Sequence, residues 1–194
     1  MKQKATKPVI RFAGFTDDWE QRKLGDIGTT YNGLSGKTKE DFGRGNAEFV
    51  TYLNVFNNPL SDIKLTENVE VDKKQNEVKY GDVFFTTSSE TPEEVGMSSV
   101  WLDSRPNVYL NSFCFGYRFK EKIYPYYAAY MLRSNSIRRE LIILAQGISR
   151  YNISKVKSME ISVPIVSYPE QQKIGNFFKQ LDDTIALHQR QLEA

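Results

Sequence analysis

With one cysteine, Cys114, and one histidine, His188, the chain can build neither a Cys–His nucleophilic pair nor a four-ligand zinc site. Cys114 stands in the apolar run NSFCFGYRF and reads as a buried strand thiol rather than a nucleophile. His188 falls on an apolar helical stripe and reads as a packing or register residue rather than a catalyst. Asn57-Asn58-Pro59-Leu60 has part of an Asn-Pro-Pro-aromatic pattern that holds a flipped base, but lacks the second proline and the aromatic ring. It reads as a turn. Asp62-Ile63-Lys64 and Asp72-Lys73-Lys74 match the tail of a metal-nuclease pattern, a triplet that arises by chance where 26% of residues are charged. A phosphate cradle of the Gly-x4-Gly-Lys-Ser/Thr kind is missing, as is any glycine-rich dinucleotide or S-adenosylmethionine loop. These residues point away from an enzyme and towards recognition, with no metal and no cofactor expected.

Contact chemistry is better represented. Between Arg118 and Lys157, nine Lys or Arg residues face only Glu121 and Glu140, whereas Ser61 to Asp103 carries ten acidic residues against four lysines. The basic segment can neutralise phosphates or form solvated helix faces, and the acidic one can face another protein or water. The overall charge of +2 decides nothing by itself. Thr86-Thr87-Ser88-Ser89 ends an apolar strand with four hydroxyls, suited to phosphate and base edges and equally to an ordinary loop. Eleven tyrosines and twelve phenylalanines favour contact surfaces, since a tyrosine ring brings area and keeps a polar end.

The elements that must position these groups are mixed. Trp19, Gln21 and Lys23 alternate with Glu20, Arg22 and Leu24 as on a strand. The polar run TTYNGLSGKTKEDFGRGNAEF, with Gly33, Gly36, Gly43 and Gly45, reads as a long surface loop. VTYLNVF and IKLTENVEV read as strands on either side of the Asn57–Pro59 turn. VKYGDVFFTTSSE places a turn at Gly81-Asp82 before a buried strand, and SSVWLD and VYLNSFCFGYRF supply further strands. Pro125 opens a helix with Tyr126, Ala129, Tyr130 and Arg133 at helical spacing, and a second helix runs from Ile137 to about Ala145 before Gly147. GISRYNIS is a polar loop, and SMEISVPIV is a last strand with Met159, Ile161 and Val163 alternating. The predicted class is α+β: a mixed, mostly antiparallel twisted sheet with packed helices over residues 1–166, then a protruding coiled-coil-type helix over 167–194.

That terminal helix starts with a capping-box pattern, Ser167-x-x-Glu170, with Pro169 in its first turn. Ile174, Phe178, Leu181, Ile185, His188 and Leu192 follow at steps of 4, 3, 4, 3 and 4 residues. This is the rhythm of a coiled-coil seam, which buries itself against another helix. Ile174 and Phe177 could instead dock on the chain's own domain. No run approaches the ~20 apolar residues of a membrane span, and the basic start MKQKATKP leads into no apolar signal segment. The reading is a soluble, cytoplasmic protein with no membrane partner.

Four runs in order resemble the specificity subunits of type I restriction–modification systems. IRFAGFTDDWEQRKLGDI is similar to the start of a target recognition domain, KYGDVFFTTSS to the family's Gly-Asp and apolar strand, GISRYNISKVKSMEISVP to its glycine-led loop and strand, and PEQQKIGNFFKQLDDTI to the start of its spacer helix. The resemblance implies a non-catalytic recognition domain followed by a conserved helical region. In the family a full subunit carries two such domains and two long antiparallel helices. Each domain reads half of a split double-stranded DNA target, guiding methyltransferase (M) subunits and a translocating restriction (R) subunit. Lys37, Thr38, Ser88 and Lys155 are then expected on phosphates, and Arg150 and Asn152 on guanine and adenine edges, the alternatives being a surface ion pair for Arg150 and a turn or helix cap for Asn152. Tyr151 is expected to stack or wedge, and Ser89 and Ser149 complete the DNA-binding set. The chain holds one recognition domain and about three heptads of helix, so the spacer reads as truncated. Two copies could pair through the seam and read a symmetric target, or a second recognition domain could supply the matching helix. The alternative is an interaction adaptor that does not bind DNA and uses the C-terminal helix alone.

Overall fold

The run Val83–Thr86 is buried at all four positions, and its alternation organises the molecule. Val83 and Phe85 face one apolar cluster, with Phe115, Tyr117, Tyr127, Leu132 and Leu141, while Phe84 faces a second, with Val50, Val55, Trp101 and Leu110. A strand with side chains on both faces inside a core has no polar positions to spare, so its sequence is continuous rather than alternating. The computed structural model describes Pro8 and residues 10–192. In chain order the elements are β1 (Glu20–Lys23), α1 (Leu24–Ile27), β2 (Gly28–Asn32), β3 (Phe42–Val50), α2 (Tyr52–Asn57), β4 (Thr66–Val69), β5 (Val83–Thr86), β6 (Ser88–Ser89), β7 (Ser98–Val100), β8 (Val108–Leu110) and β9 (Cys114–Phe119). There follow α3 (Pro125–Leu132), α4 (Asn135–Ile143), β10 (Tyr151–Asn152), α5 (Lys155–Ser158), β11 (Ser162–Ile165) and α6 (Tyr168–Leu192).

The α+β class holds. The main sheet is antiparallel in the order β2-β9-β5-β7, and a second has the order β4-β3-β8 with β3 and β8 parallel. Two further antiparallel ladders, β1-β11 and β6-β10, are short. The expected long loop between Thr29 and Phe49 is largely sheet, in β2 and β3. Gly45, at φ +92, sits where the β3–β4 register slips between Phe42 and Ala47, and a Cβ there would lie 2.4 Å from the Val69 carbonyl oxygen. The glycine marks a bulge in a strand rather than a break in structure. VTYLNVF, expected as a strand, is helix α2. Thr51 caps it by accepting from the Asn54 amide at 3.3 Å, and the Asn54 side chain donates to the carbonyls of Asp62 and Leu65. The helix α5, inside the expected loop and strand, is likewise capped by Ser154.

α3 carries Ala128 and Ala129 towards the core, and α6 crosses it closely. A Cβ on Gly175 would lie 2.7 Å from the Tyr127 amide nitrogen, so only glycine permits this approach. Buried Gln171 locks the crossing: its amide oxygen accepts from the Tyr124 N–H at 2.8 Å, and its amide nitrogen donates to the Val166 carbonyl at 2.9 Å. Glu170, expected to close a capping box, instead accepts two bonds of 2.7 Å from Arg11 and one from the Trp19 indole. The seam is accordingly divided. Ile174 packs on the main core, and Phe178, though 41% exposed, lays its ring against Tyr130 at 5.5 Å between ring centres, so both make contacts within the chain's own fold. Leu181, Ile185, His188 and Leu192 stand exposed beyond them.

Candidate nucleic-acid interface

β5 emerges from the core at Thr86, and the next three residues gather two distant segments. The Thr87 amide and hydroxyl both donate to the Phe113 carbonyl, at 3.0 and 2.8 Å, and the Thr87 carbonyl accepts from the Ile153 amide at 3.0 Å. Ser88 and Ser89 then pair with Asn152 and Tyr151. Asn152 in turn exchanges two backbone hydrogen bonds of 2.9 Å with Gln146. The result is a small ribbon in which the 146–152 hairpin is tied to the end of the central strand. Ile153 roots it from below, buried beside Leu141 and Gly96. The hairpin tip, 147–150, is wholly exposed. Gly147, at φ +151, makes the tip tight: a Cβ there would lie 2.0 Å from the Arg150 carbonyl oxygen.

The expected DNA-binding residues fall into three groups. Ser149, Arg150 and Asn152 are exposed on or beside the tip, with Tyr151 half-buried between them. Lys155 follows on α5 and donates to the Asn32 side-chain oxygen at 2.6 Å. Ser88 and Ser89 are 8% and 7% exposed: Ser89 donates its hydroxyl to Glu94 at 2.9 Å, and the Ser88 carbonyl accepts from the Tyr52 hydroxyl at 2.8 Å. Their place is inside the ladder, because their pairing partners come from far along the chain. Lys37 and Thr38 lie on the segment between β2 and β3. Lys37 is 11% exposed and its ammonium meets Asp72 at 3.1 Å. Gln75, the Lys74 amide and Lys37 together hold the Asp72 carboxyl down to about 2. Thr38 caps a 3₁₀ turn, its amide and hydroxyl both donating to Asp41. Their partners, Asp72 and Asp41, lie outside the hairpin.

The basic surplus between Arg118 and Lys157 is also smaller at the surface than the count implies. Arg133 donates to the carbonyls of Ser98, Val55 and Phe56, and Arg138 to those of Glu93, Val95 and Gly96. Burial lowers both, Arg133 to about 10, which leaves it charged at neutral pH. Arg118 is engaged by Asp82. Three of the nine cations therefore build the fold, and Arg139, Arg150, Lys155 and Lys157 are among those left to face solvent or a ligand. Two apolar residues that sequence reading passed over sit on the ribbon: Ile148 at the tip and Phe113 at its far side, both exposed. The signal was an isoleucine placed in an otherwise polar loop. Burial pushes the Cys114 thiol up to about 12, which keeps it protonated. Among the described residues no group of His, Cys, Asp or Glu could hold a metal ion, and no helix is long and apolar enough to cross a membrane.

The fold described above is shared with solved specificity subunits. The type I restriction–modification S subunit from M. genitalium superposes with a TM-score of 0.63 at 13% identity, over 92% of this chain and 42% of that one. The HsdS subunit from Thermoanaerobacter tengcongensis gives 0.62 at 17% identity, over 96% of this chain and 42% of that one. The type IIG restriction endonuclease BpuSI gives 0.57 at 7% identity, over 82% of this chain and 26% of that one. These likenesses show the fold, and the chain spans less than half the length of each. No protein of curated function matches it in sequence. The model of the type I restriction modification DNA specificity domain matches residues 16–194, and the chain belongs to that family. The family recognises DNA sequence and is in general non-catalytic.

Proposed function

We propose that this chain reads one half of a bipartite DNA target and thereby directs methyltransferase and restriction subunits to it, without a catalytic centre of its own. The observation that carries the reading is the 146–152 hairpin, which is anchored on the core strand and presents Arg150 and Asn152 to solvent. In the major groove an arginine fork fits the guanine O6 and N7 acceptors, and an asparagine amide fits the adenine N6 and N7 pair. Lys155 and Lys157 on the adjoining α5 supply charge for the phosphates, which position the hairpin without reading sequence. Residues 1–166 are the reading domain, and the exposed half of α6 pairs through Leu181, Ile185, His188 and Leu192 with a matching helix.

The test is methylation mapping of the genome with the gene present, deleted, and carrying Arg150→Ala. Deletion removes one modified motif, and Arg150→Ala relaxes one base position at a cost of about 1–3 kcal/mol in binding. An unchanged methylation map on deletion would overturn the proposal.

A further inference from the structure

Ile148 is 95% exposed, more than any other large apolar side chain among the described residues. It does not stand on a slack segment. Gly147 closes the turn beneath it, the paired Gln146 and Asn152 clamp its base, and the Ser88–Ser89 ladder fixes the hairpin to the core. An isoleucine held in water at a fixed position is stabilised wherever a ligand buries it. Its neighbours Ser149 and Arg150 are polar, so the surface that meets this tip must offer a small apolar group among hydrogen-bonding ones.

Arg150 and Asn152 share the hairpin with Ile148 and, as proposed above, meet base edges in the major groove, which at about 12 Å wide admits a two-stranded ribbon. Among base edges in the major groove, the apolar group is the thymine C5-methyl. We infer that Ile148 is a specificity-determining residue that selects a thymine through van der Waals contact with its C5-methyl group. The inference rests on the hairpin being the DNA-reading element, as proposed above.

The experiment uses the full chain together with a methyltransferase subunit, in the wild-type, Ile148→Ser and Ile148→Val forms. A random-sequence duplex pool yields the bound sequence, and each thymine in it is then replaced in turn by uracil, which lacks only the methyl group. The wild type and Ile148→Val should show one position where uracil weakens binding about fourfold, the worth of one buried methyl group. At that position Ile148→Ser should bind thymine and uracil alike. Equal sensitivity in wild type and Ile148→Ser, or no uracil-sensitive position in the wild type, overturns the inference and leaves the DNA-reading proposal standing. So does loss of the methyltransferase subunit from Ile148→Ser with its base selectivity intact. A wild type that selects no sequence overturns both.

Discussion

Arg118 grips Asp82 with a two-pronged contact, Nε to Oδ1 and Nη2 to Oδ2, each at 2.7 Å. Asp82 is 1% exposed and also accepts from the Tyr31 hydroxyl at 2.7 Å and the Lys79 amide at 2.8 Å. Tyr31 lies on β2 and Arg118 on β9, while Asp82 immediately precedes β5, so one carboxylate joins the three adjacent strands. Burial raises the Tyr31 hydroxyl well above its ordinary value, with the Asp82 charge adding to it, so it remains a donor at neutral pH. Asp82→Asn keeps the shape but exchanges an acceptor for a donor against Arg118. The expected loss is about 2 kcal/mol in urea unfolding, with the denaturant slope unchanged.

Arg133 should be the more damaging position. Its guanidinium donates to three carbonyls, at the end of α2 and the start of β7. Arg133→Met fills the space and orphans them, at an expected cost of about 3 kcal/mol. Arg133→Lys, with one compact head, recovers only part of that loss. Thermal unfolding followed by circular dichroism ranks the three proteins, and a methionine variant as stable as wild type would contradict the carbonyl cage.

Salt dependence separates the lysines. Lys155→Ala should reduce the slope of log binding constant against log salt by about 1, as expected when one phosphate contact is lost. Lys37→Ala should leave the slope unchanged, because the charge it removes is already neutralised by Asp72. Titrations of one duplex at several salt concentrations provide both numbers.

On α6, Leu181→Asp combined with Ile185→Asp should leave the melting temperature within about 2 °C of wild type, since surface changes away from packed features cost little. The same double variant should fail to co-purify with a methyltransferase subunit. Phe178→Asp should instead lower the melting temperature, because that ring packs on Tyr130 of its own domain.

The sequence made β5, α3, α4 and α6 legible through apolar period and the placement of Pro125. It hid whatever depended on partners distant in the chain. VTYLNVF carries a strand's composition, yet Thr51 caps it as a helix and the Asn54 side chain ties it to the carbonyls of Asp62 and Leu65. Ser88 and Ser89 look like a free hydroxyl edge until Tyr151 and Asn152 arrive to pair with them. Arg133 and Arg138 counted as surface charge because nothing local reveals the carbonyls that surround them. The exposure of Arg150 and Asn152 was legible because a polar loop with a leading glycine has few apolar side chains to bury.

The hairpin tip touches solvent and is joined to the rest of the molecule through backbone bonds at its base. Side chains at positions 148 to 150 thus contribute almost nothing to folding stability, and replacing them leaves the core's free energy where it was. A gene for this protein can therefore drift at these codons without passing through an unfolded intermediate, and on the proposed reading such drift changes the target. Gly147 is the exception, since any side chain there collides with the turn, so change of letter is open at the tip while change of shape is not.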